Sequence, residues 1–233
     1  MVDRPVTEQA QEAQDAQDAQ DARELYARVT AELAPAAAHN QLVELVESGS
    51  APVEALRRIA GEEYRIIRSD RRSFALMAAR FADPAPTGEL FLGLAQGEGQ
   101  ALPLLLDYAT ALGLDPAALD SYEPRAAAQA YPHHLAWLAQ FGSRSEIMLA
   151  LLANFGFWGG YCARIAAALP RHYGLTEADA AFFTFFADLP PGFEQTALST
   201  LQHGLDAGED PAAALRAARM MQSYEAAFWD SVL

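Results

Sequence analysis

The chain of 233 residues is long enough for one large domain or two small ones, and its 52% hydrophobic content predicts a sizeable buried core. Sixteen basic residues stand against 31 acidic ones, and this net charge of −15 disfavours nucleic acid and anionic membranes as partners. Every basic residue is arginine, which excludes a Schiff-base lysine and the lysine of a Walker A loop. The single cysteine, Cys162, excludes an intramolecular disulfide and a Cys-x-x-Cys metal site.

Residues 1–24 are acidic and low in complexity. The triplet Gln-Asp-Ala runs three times between Gln14 and Ala22. Such a segment has too little apolar surface to offset its ordering entropy, so we expect a disordered acidic leader followed by one domain over residues 25–233. The chain contains no run of about 18 apolar residues that could span a bilayer, and its acidic start is unlike a signal peptide. We therefore expect a cytoplasmic protein without a membrane partner.

Helical periodicity and helix-boundary signals continue from about Leu25 to the end of the chain. Asp83-Pro84 ends one predicted helix, while Asp115-Pro116 and Asp210-Pro211 each combine an N-cap residue with a proline in the first turn. The helix that begins at Asp115-Pro116 is predicted to run to Phe141. Few segments show the period-two alternation of strands. The sequence therefore predicts an all-α, single-domain bundle of seven or eight helices.

Two acids lie within apolar helical segments. Glu63 is flanked by Ile59 and Ile66, and Glu225 precedes Phe228 by three residues, so both carboxyl groups share a face with side chains that should pack inward. A buried carboxylate is costly unless it is paired or hydrogen-bonded, and its pKa rises toward the range useful for proton transfer. We interpret Glu63 and Glu225 as catalytic residues that approach one another across an interior cavity.

Aromatic and amide side chains could complete such a pocket for a small molecule. They would supply ring faces and hydrogen bonds. The candidate substrate-binding residues are Tyr131, Asn154, Trp158, Ile66 and Tyr161. The simpler interpretation is that Glu63 pairs with Arg65 or Arg68 at the surface and that the aromatic residues belong to an ordinary core.

Standard catalytic and metal-binding motifs are missing from the sequence. It contains no Gly-x-Ser-x-Gly, no His-Glu-x-x-His and no Glu-x-x-His of the ferritin type. Only His133 and His134 are adjacent among the five histidines, and neighbours on a helix point about 100° apart, which disfavours a shared metal ion. We expect neither a metal nor a cofactor.

Three segments resemble helices of the TenA/thiaminase II family. Residues 56–64 (Leu-Arg-Arg-Ile-Ala-Gly-Glu-Glu-Tyr) look like its Phe-x-x-Tyr-Leu-x-Gln-Asp-Tyr helix. Residues 150–158 are similar to its Ala-Leu-Leu-Pro-Cys-x-Trp-x-Tyr helix, and residues 224–230 resemble its closing Glu-x-x-Phe-Trp-(Asp/Glu) motif. The resemblance runs from about residue 40 to the C-terminus. It implies the haem-oxygenase-like all-α fold, in which helices surround a central pocket. It also implies the activity of the family's typical enzymes, which hydrolyse thiamin-derived aminopyrimidines in that pocket.

The resemblance also implies roles for individual residues. The acid that binds the pyrimidine falls on Glu63, one methylene longer than the family's aspartate, and the terminal catalytic glutamate falls on Glu225. The middle-helix tyrosine falls on Tyr131, and the tyrosine that follows the nucleophile by four residues falls on Trp158. The nucleophilic cysteine falls on Asn154, which cannot act as a thiolate. In lacking this cysteine the chain resembles a branch of the family that hydrolyses aminopyrimidines with carboxylates.

Other activities of the same fold remain as alternatives. Its diiron oxidases use a carboxylate followed by His seven residues later and a His-x-x-x-Asp-x-x-His helix, whereas Glu63 is followed by Asp70 and segment 143–169 holds no histidine. Cys162 lies two helical turns beyond Asn154, too far to replace the nucleophile. We predict a homo-oligomeric hydrolase of a small aminopyrimidine or related amine. The alternatives are a non-catalytic small-molecule-binding or regulatory protein and a cofactorless or diiron oxidase.

Overall fold

The computed structural model describes residues 21–83, 86–189 and 191–233, and within these ranges it contains ten helices and no strand. In chain order the helices are α1 (Ala22–Ala37), α2 (Gln41–Glu47), α3 (Val53–Arg80), α4 (Thr87–Ala111), α5 (Pro116–Ser121), α6 (Ala130–Phe141), α7 (Arg144–His172), α8 (Ala181–Ala187), α9 (Phe193–Asp206) and α10 (Pro211–Val232). The all-α prediction is confirmed. Residues 1–20, which make up most of the predicted leader 1–24, lie outside the described residues. None of the helices described is long and apolar enough to cross a membrane.

The predicted number of helices, seven or eight, is too low because some predicted helices are divided. The helix predicted from Asp115 to Phe141 is interrupted over residues 122–129, which separate α5 from α6. Pro124 explains the interruption, since a proline disfavours helical geometry in the residue before it. The helical stretch after Leu25 is likewise divided. There the side chain of Asn40 accepts a hydrogen bond from the backbone N–H of Val43 at 3.1 Å and caps a separate α2.

The predicted helix starts at the two Asp-Pro pairs are confirmed. The side chain of Asp115 accepts a hydrogen bond from the Ala118 backbone N–H at 2.8 Å, and that of Asp210 accepts one from Ala212 at 2.8 Å. Each cap satisfies one of the N–H groups that a helix leaves without a partner in its first turn. Local chemistry therefore places the beginnings of α5 and α10.

Helix α7 lies in the centre of the molecule. It begins with a capping box, in which the Glu146 carboxylate accepts from the Ser143 backbone N–H at 2.9 Å and the Ser143 hydroxyl accepts from the Glu146 N–H at 3.2 Å. Every side chain from Ile147 to Asn154 is buried, as expected for a helix covered by others on all sides. Helices α2, α8, α9 and α10 pack against it, so Asn154 is held at the centre of the bundle.

Helix α3 packs against α4 and α6 and carries buried acids. Glu62 is fully buried and accepts hydrogen bonds from the Tyr122 hydroxyl at 2.9 Å, the Arg125 backbone N–H at 2.8 Å and the Gln129 amide at 2.6 Å. These three donors satisfy the carboxylate and tie α3 to the segment between α5 and α6. Glu62 is thus a structural residue, although it is adjacent to Glu63.

Helix α8 approaches α7 closely at one glycine. A Cβ atom at Gly159 would lie 3.1 Å from the carbonyl oxygen of Phe186 and 3.2 Å from that of Ala187. The absence of a side chain therefore lets the C-terminal end of α8 rest on α7. This contact places Phe185 and Phe186 beside the interior cavity described next.

Candidate active site

A cavity of about 460 Å³ lies among helices α3, α4, α6, α7, α8 and α10. Its volume suits a small organic molecule. Carboxyl groups on its wall come from Glu63, Asp70, Glu98, Asp188 and Glu225. Aromatic rings come from Tyr131, Phe155, Trp158, Phe185, Phe186 and Phe228. No arginine or histidine lines the cavity in the described part of the chain, so the site is both acidic and aromatic.

Most of the residues chosen from the sequence meet at this cavity. They are Glu63, Ile66, Tyr131, Asn154, Trp158 and Glu225. The structure does not bring Tyr161 to the cavity wall. Its hydroxyl group donates a hydrogen bond to the Ala37 carbonyl oxygen at 2.7 Å, and its ring packs edge-on against Trp229 with the centroids 5.5 Å apart. Tyr161 therefore connects α7 to α1 and α10, a role that helical spacing alone does not reveal.

The carboxyl group of Glu225 is held from both sides. The Asn154 amide donates to Oε2, and the indole nitrogen of Trp229 donates to Oε1 at 3.2 Å. Burial raises the pKa of the Glu225 carboxyl to about 8, although these two hydrogen bonds oppose the rise. A carboxyl group with a pKa near neutral pH can both accept and return a proton. Glu225 is thus a suitable general acid/base.

Glu63 is buried and faces the same cavity from α3. Burial, and then the negative charges of Asp70, Glu62 and Glu225, raise the pKa of its carboxyl group well above the usual value. The negative charge of Glu225 contributes to this rise, and both carboxyl groups line the same cavity. A protonated Glu63 can donate a hydrogen bond, and its carbonyl oxygen can accept one.

The simpler interpretation, in which Glu63 forms a surface ion pair with Arg65 or Arg68, is wrong because both arginines contact other residues. The Arg65 guanidinium donates to the carbonyl oxygen of Tyr122 at 2.6 Å. The Arg68 guanidinium lies 3.8 Å from the carboxylate of Asp120. Both arginines therefore bind the segment around α5 and leave Glu63 to the cavity.

Sequence reasoning missed two acids of the cavity, Glu98 and Asp188, and gave no role to a third, Asp70. Glu98 is partly buried on α4, in a segment where glycines at positions 97 and 99 obscure the apolar periodicity, and no local signal indicated it. Burial, followed by the charges of Asp70 and Glu63, raises the pKa of its carboxyl group well above the usual value. Asp70, seven residues after Glu63, did carry a signal, because that spacing returns to the same helix face.

Cys162 has no access to the cavity. Its side chain is fully buried in the core beyond the site, and it is not among the residues that line the wall. Burial, and then the charges of Glu63 and Glu225, raise the pKa of its thiol well above the usual value. A nucleophilic cysteine needs the opposite, a lowered pKa and an open approach. The structure therefore provides no thiolate at this site.

The donor set of a diiron centre does not match this cavity. Aspartate stands seven residues after Glu63, and α7 presents Asn154 and Trp158 where imidazole and carboxylate ligands would be needed. Across residues 21–83, 86–189 and 191–233, no three His, Cys, Asp or Glu side chains are grouped so that they could hold a metal ion. The side chains present are suited to an organic ligand.

Comparisons with known proteins relate this arrangement to a family. The family model described as TENA/THI-4/PQQC matches residues 29–189. A structure of a domain of unknown function with a heme oxygenase-like fold, from Shewanella denitrificans OS217, is 16% identical and covers 91% of this chain and 92% of its own, with a TM-score of 0.72. A comparison with curated proteins gave no match.

Two further solved structures are similar in the same way. A TenA homologue from P. horikoshii OT3 is 16% identical and covers 91% of this chain and 94% of its own, with a TM-score of 0.65. A TenA family transcription regulator from Silicibacter sp. TM1040 is 17% identical. It covers 89% of this chain and 96% of its own, with a TM-score of 0.68. At these identities the likeness shows the fold, and the haem-oxygenase-like prediction is confirmed.

Proposed function

Because the chain belongs to the TENA/THI-4/PQQC family, we propose that it is a TenA-like hydrolase of a small aminopyrimidine or related amine that acts without a cysteine nucleophile. The observation that carries the proposal is the hydrogen bond from Asn154 to Glu225 at the wall of the cavity. Asn154, at the position of the family's nucleophile, has an amide side chain. This amide orients the carboxyl group of Glu225, which can accept and return a proton. Catalysis then falls to carboxyl groups and water.

The walls of the cavity can hold a planar heterocycle. The ring of Trp158 meets the rings of Phe186 and Phe228 edge-on, with centroids 6.1 and 6.3 Å apart, and Tyr131 lies on the same wall. Aromatic side chains favour offset or edge-on contact with a further ring. Glu63 then hydrogen-bonds the amino group of the heterocycle and fixes the ring relative to Glu225.

The proposed reaction replaces the amino group by a hydroxyl group: R–NH₂ + H₂O gives R–OH + NH₃. Ionised Glu225 takes a proton from water as the water oxygen forms a bond to the carbon that bears the amino group. The protonated carboxyl then returns this proton to the departing nitrogen, which leaves as ammonia with the electron pair of the C–N bond. One group performs both transfers because its pKa lies near the working pH.

The test is incubation of the purified protein with a panel of 4-aminopyrimidines, with ammonia and the hydroxylated product measured together. The proposal is supported if ammonia and the hydroxylated product form in equal amounts and if the Glu225→Gln variant forms neither. Tight binding by calorimetry without ammonia overturns it in favour of a non-catalytic binding or regulatory protein. Substrate-dependent oxygen uptake overturns it in favour of an oxidase.

We also propose that the protein acts in the cytoplasm as a homo-oligomer. Trp137 and Phe141 on α6 are 51% and 66% exposed and pack against each other with ring centroids 5.8 Å apart. Exposed aromatic pairs of this kind favour association between protein surfaces. Sedimentation velocity should show a species larger than the 25.2 kDa monomer that Phe141→Ser shifts toward the monomer, whereas a monomer at all concentrations would contradict this.

A further inference from the structure

We propose that Asp70 and Glu98 form a second subsite of the cavity, which binds an ammonium group carried on a flexible arm of the substrate. The proposal rests on the proposed function, since it assigns the chemical class of that substrate: an organic cation with an aromatic amine at one end and a primary ammonium group at the other. Glu63 and Glu225 would hold the first end and this subsite the second.

The first observation is an unpartnered buried oxygen. Asp70 is 3% exposed, it lines the cavity, and its Oδ1 atom is fully buried without a hydrogen-bond partner. Buried polar groups in native proteins are nearly always hydrogen-bonded, and an unpaired buried carboxylate is especially costly. Glu62, on the same helix but outside the cavity, is fully satisfied, with three donors on one carboxylate. An unsatisfied acceptor at a cavity wall indicates a donor that arrives with the ligand.

The second observation is the absence of a compensating cation. No arginine or histidine lines the cavity within the described ranges, and the chain contains no lysine. Glu98 faces the same space from α4, and its carboxyl group is close enough to Asp70 and Glu63 for their charges to raise its pKa. The Tyr131 hydroxyl can contribute one hydrogen bond to Asp70 but no positive charge. A cationic ligand supplies both donors and charge.

The geometry of α3 gives the approximate length of the ligand. Asp70 follows Glu63 by seven residues on one continuous helix, which corresponds to a rise of about 10 Å. This rise separates the Cα atoms of Glu63 and Asp70, which lie along one face of α3 and both line the cavity. An ammonium group held at Asp70 is therefore joined to a heterocycle held at Glu63 by a flexible arm of several bonds.

An organic cation suits these acids better than a metal ion does. In the described residues no three acidic, histidine or cysteine side chains are grouped so that they could hold a metal ion, so Asp70 and Glu98 do not form part of a complete ligand set. A primary ammonium group needs only two or three acceptors, and its alkyl arm can pack on the apolar part of the wall, where Leu94 lies.

The experiment compares two ligands that differ only at the end of the arm. Calorimetry measures the binding of a 4-aminopyrimidine with a 4-aminobutyl arm and of its counterpart with a 4-hydroxybutyl arm. We expect the wild-type protein to prefer the aminobutyl compound at least tenfold, because charge-assisted hydrogen bonds are about twice as strong as neutral ones. Equal affinity for the two compounds would overturn the proposal.

Variants identify the carboxyl groups responsible for this preference. Asp70→Asn and Glu98→Gln should each reduce the preference below about threefold. Asp107→Asn, which removes the same charge from an exposed position on α4, should retain it. A preference that survives both cavity variants would overturn the proposal. Circular dichroism and thermal unfolding check the fold of each variant.

The result also separates the subsite from the proposed reaction. Ammonia release without a preference for the aminobutyl arm rejects the subsite and keeps the hydrolase. A preference that depends on Asp70 and Glu98, without ammonia release, keeps the subsite and rejects the hydrolase. If neither compound binds, the subsite and the hydrolase are both rejected.

Discussion

The Asn154 amide on α7 donates a hydrogen bond to the Glu225 carboxyl group on α10, at the wall of the acidic cavity. Trp229, one helical turn after Glu225, donates to the other oxygen at 3.2 Å. The carboxyl group is thus oriented by two neutral donors, while burial keeps its pKa near 8. This arrangement allows specific predictions about activity and stability.

Glu225→Gln should lower the rate of ammonia release by roughly a hundredfold or more, as is typical when a general acid/base is removed. Glutamine has nearly the same shape, so loss of proton transfer rather than of packing explains the effect. Steady-state kinetics on a 4-aminopyrimidine measure it, with circular dichroism as the check on folding. Activity within tenfold of the parent would remove Glu225 from the mechanism.

The pH dependence of kcat/KM should show an ascending limb with a midpoint near 8, since the ionised form of Glu225 activates water and burial raises its pKa to about 8. The profile should be measured with a substrate whose ring nitrogen titrates below pH 6, so that substrate ionisation does not overlap. A profile that is flat between pH 6 and 9 would contradict the assignment.

Stability should fall as the pH rises from about 5 to 8. The pKa of Glu225 is near 4.5 in the unfolded chain and about 8 in the folded protein, so the folded state binds more protons throughout this interval. Its stabilising contribution is complete below pH 4.5 and is lost as the pH rises through 8. Differential scanning calorimetry should show a melting temperature that is several degrees lower at pH 8 than at pH 5. Glu225→Gln should reduce this difference between the two pH values. An equal difference in the variant would contradict the raised pKa.

Cys162→Ser should leave ammonia release within about tenfold of the parent, since this thiol is buried away from the cavity and cannot act as a nucleophile. A hydroxyl in an apolar core is destabilising, so Cys162→Ala serves as a second variant and thermal unfolding monitors both. Loss of activity in both variants, with the fold intact, would return a covalent thiolate mechanism.

Gly159→Ala should raise KM more than it lowers kcat. Its new Cβ would lie 3.1 Å from the Phe186 carbonyl oxygen, so the end of α8 must move and the aromatic wall shifts with it. The matched control is Gly160→Ala, whose Cβ meets no atom within 4 Å. The control should be neutral or stabilising by up to about 1 kcal/mol, the usual gain of alanine over glycine inside a helix. Equal effects of the two substitutions on KM would contradict this account of α8.

Much of this protein could be predicted without its structure. The all-α class follows from helical periodicity, and the caps at Asp115 and Asp210 follow from hydrogen bonds within three residues, so the local sequence holds the necessary information. Glu63, Asn154 and Glu225 were found through their apolar surroundings and short family motifs, and the structure brings all three to one cavity.

Other features depend on contacts between residues far apart in the chain. Glu62 and Glu63 are adjacent and equally acidic, yet the tertiary structure directs one to donors from the segment after α5 and the other to the cavity. Tyr161 is turned away from the site by the distant carbonyl group of Ala37. Glu98 joins the acids of α3 only because α4 packs against that helix. Periodicity specifies which face of a helix is buried, but packing between helices decides what each buried side chain meets. Here that packing creates an acidic cavity to which the described residues contribute no arginine or histidine.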